Sequence, residues 1–83
     1  MVFLAFTSKG LAEAMRTAAQ IEGAVWCSAN ALSEEEFAKM SAPNLTRFTY
    51  VIDGKNQDQL SDALATIEEH HPGQCVWVEA TRT

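Results

Sequence analysis

The chain opens on Val2-Phe3-Leu4-Ala5-Phe6, a run that is apolar on both alternating faces. A strand with one solvated face would alternate, so this pattern predicts a strand over 2–6 that is covered on both sides, or on one side plus an interface. After Thr7-Ser8-Lys9-Gly10 the period changes. Leu11, Ala14, Met15, Ala18 and Ile21 fall on one helical face and Glu13, Arg16, Thr17 and Gln20 on the other, predicting a helix over about 9–21 closed by Gly23. Ala24-Val25-Trp26-Cys27-Ser28 predicts a second strand.

Ser33-Glu34-Glu35-Glu36 has the spacing of a capping box, with Leu32 and Phe37 in the staple positions, and predicts a short helix over 34–40 ended by Ala42-Pro43-Asn44. Phe48, Tyr50 and Ile52 alternate within 47–52, which reads as a third strand stopped at Asp53-Gly54. Asn56 is then an N-cap with Gln59 at N3. The stripe Leu60, Ala63, Leu64 and Ile67 carries a helix to His70, broken by Pro72-Gly73. Gln74-Cys75-Val76-Trp77-Val78-Glu79 is the fourth strand.

Strands and helices therefore alternate, and each main helix joins two strands in a right-handed crossover. Two folds satisfy that order. The preferred one is an α+β ferredoxin-like sandwich of two interleaved βαβ halves, because a two-turn helix at 34–40 is short for a crossover of a dozen residues or more. The alternative is a small doubly wound parallel α/β sheet, in which that helix is a true third crossover. In the ferredoxin-like order the first and third strands are central. Cys27 and Cys75 would then lie on opposite edges, roughly 14 Å apart and too far for a disulfide. One sheet face would be left without main helices, to be covered by Phe37 and Met40, by a second copy of the chain in a homodimer, or by a partner protein.

With 83 residues the chain has room for one domain, 1–83, and its 47% hydrophobic and 20% charged content is that of a globular chain. Charge narrows the partners. Eleven acids against six bases give a net charge of −5, and Lys9, Arg16, Lys39, Arg47, Lys55 and Arg82 form no cluster in sequence. Nucleic-acid binding starts from a basic patch, so no direct nucleic-acid contact is expected. The opening run is too short for a signal peptide and no apolar run reaches membrane length, so the expectation is a cytoplasmic chain without membrane contact. Both thiols sit in apolar runs, as free cysteines do in a reducing compartment.

Candidate chemistry is sparse. Thr7, Ser8, Lys9 and Gly10 would stand at the end of the first strand and the start of the first helix, where free N–H groups and the helix dipole attract a phosphate or carboxylate. Their spacing matches neither a P-loop nor a dinucleotide fingerprint. His70, His71 and Cys75 include zinc-type ligands, but adjacent histidines on a helix point about 100° apart and no four-ligand set can be assembled. No nucleophile stands beside a base in sequence, so no catalytic residue, metal or cofactor is expected and the chain reads as a non-enzyme.

The carboxylates are more suggestive. Glu34, Glu35 and Glu36 form one cluster, and Asp58, Asp62 and Glu69 project within about 40° of one another, opposite the apolar stripe of the last helix. Such ridges speed association with basic partners. The leading expectation is thus a small acidic interaction protein that binds a larger, basic protein through these six residues or through the open sheet face. An inhibitor, an immunity-type protein or an accessory factor fits, of the kind phages and mobile elements encode, anti-CRISPR proteins included. That class is suggested by size and charge and rests on no single residue. The second expectation is a dimeric ligand-sensing module that binds a small anion at Thr7-Ser8-Lys9-Gly10.

Overall fold

A computed structural model of the chain describes residues 1–80, so Arg82 lies outside the described residues. The elements are β1 (Val2–Ala5), α1 (Ser8–Ile21), β2 (Ala24–Cys27), α2 (Glu34–Met40), β3 (Leu45–Arg47), α3 (Gln57–His70) and β4 (Val76–Val78). The four strands form one sheet in the order β3-β2-β1-β4, and every pairing is parallel.

This excludes the ferredoxin-like sandwich, whose sheet is antiparallel. It matches the alternative, a small doubly wound sheet. The stretch from residue 28 to residue 44 is a full crossover, because the loops on either side of α2 supply the length that its two turns lack. The strand positions change accordingly: β1 and β2 are interior, while β3 and β4 are the edges. Cys27 is therefore on an interior strand rather than an edge. It is buried, Cys75 is exposed, and both are free thiols.

Right-handed crossovers from β1 to β2 to β3 step in one direction and place α1 and α2 on the same face. The connection from β3 to β4 returns past both interior strands, so α3 goes to the other face. The core divides in the same way. Ala5, Leu11, Ala18, Val25, Cys27 and Leu45 pack on the α1/α2 side, with Met15, Leu32 and Phe37 half-buried against them. On the α3 side, Val2, Leu4, Phe6, Trp26, Phe48, Ile52, Ala63 and Ile67 form the second core. Both faces of β1 are thus buried, as its unbroken apolar run requires.

The open sheet face expected from the sequence is absent. Phe37 packs on the α1 side, and Met40, which was to share in covering that face, is exposed.

Two local predictions are corrected. The alternation over 47–52 is not a strand: β3 ends at Arg47, and residues 48–52 cross the ends of β2 and β1 on the way to α3. The Phe48 N–H donates to the Cys27 carbonyl (2.8 Å) and the Ala29 N–H to the Tyr50 carbonyl (3.2 Å). Phe48 and Ile52 drop into the α3-side core, and Tyr50 packs on Phe48 with ring centroids 5.5 Å apart and the rings tilted by 58°. The left-handed residue that ends α1 is Glu22, at φ 55°, rather than Gly23. Gly23 is needed for closeness instead: a Cβ there would stand 3.2 Å from both the Met1 carbonyl oxygen and the Phe3 ring.

The other caps form where the sequence places them. Ser33 accepts from the Glu36 N–H at 3.1 Å and Asn56 from the Gln59 N–H at 3.1 Å.

Candidate functional site, a cleft at the carboxyl ends of β1 and β4

In a doubly wound sheet the strand order reverses at one place, and the loops there diverge to leave a crevice at the carboxyl ends of the strands. Here the reversal lies between β1 and β4. A cleft of about 760 Å³ opens at that point, walled by Phe6, Thr7, Lys9 and Gly10, by Ile52 to Lys55 before α3, and by Glu79 and Ala80 after β4. Glu13, Asn30 and Val51 complete its rim.

Three of the four predicted anion-binding residues, Thr7, Lys9 and Gly10, line this cleft. Ser8 does not; its hydroxyl donates to the Ala31 carbonyl at 3.0 Å and ties the start of α1 to the loop before α2. Thr7 is the N-cap of α1, its oxygen accepting from the Gly10 N–H at 3.0 Å. Part of the donor set is already engaged, while the Lys9 ammonium has no ion-pair partner among the described residues. One carboxylate oxygen of Glu79 accepts from the N–H groups of Phe6 (2.7 Å) and Thr7 (3.0 Å), and the other accepts from the Thr7 hydroxyl (2.7 Å). The chain supplies its own anion to the helix terminus, where the dipole favours a negative charge. Sequence reading missed Glu79 because it took that residue only as the end of a strand.

Across the cleft, the Asp53 carboxylate accepts from the Lys55 N–H at 2.9 Å and the Asp53 N–H donates to the Gln59 side chain at 2.9 Å, which shapes the turn into α3. Ser28, also overlooked, is the buried hub behind the cleft. Its N–H donates to the Ala5 carbonyl (3.0 Å), its hydroxyl donates to Asn30 (2.5 Å), and the same oxygen accepts from the Ile52 N–H (2.8 Å). The cleft lining includes Lys9 and Lys55 against Glu13, Asp53 and Glu79, with no cysteine or histidine among them.

The remaining candidates lie elsewhere. Burial pushes the Cys27 thiol up from 9.0 to about 11, with the Arg47 guanidinium partly opposing it, so at neutral pH it is a thiol rather than a thiolate. The rings of His70 and His71 stand 5.3 and 6.1 Å from the Trp26 ring, at the carboxyl end of α3 and away from the cleft. The Trp26 indole nitrogen is buried without a partner. Among the described residues, no group of three or more His, Cys, Asp or Glu side chains is placed to hold a metal ion, and no helix is long and apolar enough to cross a membrane.

The two acidic clusters are on opposite faces of the sheet. Glu34, Glu35 and Glu36 form the first turn of α2, and Glu34 stands 3.8 Å from Arg47, the one ion pair among the described residues. Arg47 itself donates to the carbonyls of Leu32 (2.6 Å) and Ala29 (3.0 Å). Asp58, Asp62 and Glu69 are all exposed on α3, opposite its buried Ala63 and Ile67. No single flat partner surface could cover both clusters.

Compared with known proteins, the chain matches no family model, no curated protein and no solved structure. Fold and site alone therefore define the class: a small doubly wound α/β domain whose switch-point cleft carries its own carboxylate, Glu79, on one wall.

Proposed function

We propose that this protein acts by contact, binding a larger basic protein through the outward face of α3, as an inhibitor, an immunity-type protein or an accessory factor would. The observation that carries the reading is the state of Asp58, Asp62 and Glu69. All three are exposed on one side of the helix, and none has a basic partner within ion-pair distance among the described residues. Unpaired charge of one sign on a rigid helix raises association rates with a surface of the opposite sign. The seat of Glu79 supports the same reading, since an anion could reach the Phe6 and Thr7 N–H groups only by displacing it. Reversal of all three charges to lysine is expected to slow association with the partner recovered from the native host and to flatten its salt dependence. Unchanged affinity and an unchanged salt slope would remove the ridge from the interface.

A second reading has one observation in its favour, the position of the cleft at the switch point. A ligand-sensing role would have a phosphate or carboxylate take the place of Glu79 on the Phe6 and Thr7 N–H groups. Thermal-shift measurements with phosphate and small carboxylates test it on the wild type and on Glu79→Ala, the variant with free donors. A shift in neither protein counts against it.

A further inference from the structure

The two edges of the sheet are unlike. β3 follows Pro43 and carries Arg47, which are features that keep an edge from pairing with another chain. β4 has neither. Its three residues are Val76, Trp77 and Val78, with Trp77 56% and Val78 40% exposed.

Among the described residues, no strand pairs with β4 on that side. In a parallel ladder a strand bonds its neighbour through alternate residues. The Val2 N–H donates to the Cys75 carbonyl and the Glu79 N–H to the Leu4 carbonyl. Cys75, Trp77 and Glu79 therefore serve β1, while Val76 and Val78 turn their N–H and C=O groups outward.

We infer that β4 is the seam of a homodimer, pairing antiparallel with β4 of a second copy about a two-fold axis at Trp77. This goes beyond the contact proposed through α3 and does not depend on it. The strand is self-complementary. When Val76 of each copy faces Val78 of the other, all four outward groups on each side find partners, and the two Trp77 residues meet as the non-hydrogen-bonded pair, where side chains come closest. Trp77 is in register with Phe3, so its ring lies on the α1 side, beside a groove lined by Gly10, Glu13, Ala14 and Thr17.

Charge selects a like partner here. In a chain of net charge −5, residues 74–78 carry no acidic or basic side chain, and the Glu79 carboxylate is turned inward onto Phe6 and Thr7. A neutral edge gives nothing to a basic partner and offers no repulsion to an identical edge. The seam is only three residues a side, less than a standard interface of about 1,600 Å² supplies, so association should depend on concentration.

Sedimentation velocity over a concentration series tests this. The expected result is a shift from one to two chain masses, undiminished by added salt, whereas binding through the α3 ridge would weaken with salt. Val78→Pro removes an outward N–H that β1 does not use and should abolish the shift while leaving the circular dichroism unchanged. Should that variant fail to fold, Trp77→Glu sets like charges face to face on the axis and should have the same effect. With Cys75 replaced by alanine, Trp77→Cys should form a disulfide-linked dimer on mild oxidation. A single-chain mass throughout the series would overturn the inference, as would dimers that survive both edge substitutions. So would an edge that stays monomeric alone and pairs only with a strand of another protein.

Discussion

Glu79 occupies the space that a side chain at Gly10 would need: a Cβ on Gly10 would collide with the Glu79 carboxylate. The contact joins the end of the last strand to the first turn of α1. It makes a glycine and a glutamate mutually dependent although neither belongs to a recognised motif.

Gly10→Ala is therefore expected to expel the carboxylate and lose its three hydrogen bonds, at a cost of about 1–3 kcal/mol despite alanine's better helix propensity. Glu79→Ala should cost a similar amount. In the double variant the two losses should not add, because both remove the same contact. Thermal melts of the two single variants and the double variant check this; full additivity would mean that the side chains act independently.

Ser28→Ala should be more damaging than Asn30→Ala. The first leaves the Ile52 N–H buried without an acceptor, which costs about 1–3 kcal/mol, or roughly 4–8 °C per kcal/mol in a domain of this size. The second removes an acceptor at an exposed rim position and leaves the Ile52 N–H bonded to Ser28. Equal losses in the two variants would contradict the role of Ser28 as the hub.

Arg47→Met and Glu34→Gln separate hydrogen bonding from charge pairing. Arg47 is half-buried and satisfies two loop carbonyls, so its loss should destabilise by about 1–3 kcal/mol. The pair with the highly exposed Glu34 is screened by water, and Glu34→Gln should change stability by less than about 0.5 kcal/mol. Urea midpoints compare the two.

The two thiols should behave differently. Cys75 should react quickly with an aromatic disulfide in the native protein, and Cys27 only on unfolding. The pH dependence of stability follows from the raised Cys27 value. The folded state holds this proton to about pH 11 and the unfolded state releases it near 9.0. Below about pH 9 the thiol adds no slope. Between 9 and 11 deprotonation favours the unfolded chain, and stability should fall by up to about 3 kcal/mol. Cys27→Ala should lose less stability than the wild type over that window; equal losses would place the titration elsewhere.

The sequence by itself determined what is local. Ser33 with Glu36, and Asn56 with Gln59, mark helix starts because a cap is a bond between residues three apart. The stripe from Leu60 to Ile67 marks the buried side of α3 because its period follows the helix. The double burial of β1 was legible in Val2 to Phe6 for the same reason, and so was the exposed ridge of Asp58, Asp62 and Glu69.

Tertiary structure alone decided which strands pair, and with it everything at the cleft. The alternation of Phe48, Tyr50 and Ile52 is the same for a strand as for a segment anchored over the ends of other strands. The choice between them came from the need to return past β2 and β1 to reach β4. That return reverses the strand order, opens the crevice beside β1, and brings Glu79 to Phe6, 73 positions away. A carboxylate at the end of a strand carries no signal of where it points, because its partners are backbone N–H groups that every residue but proline possesses.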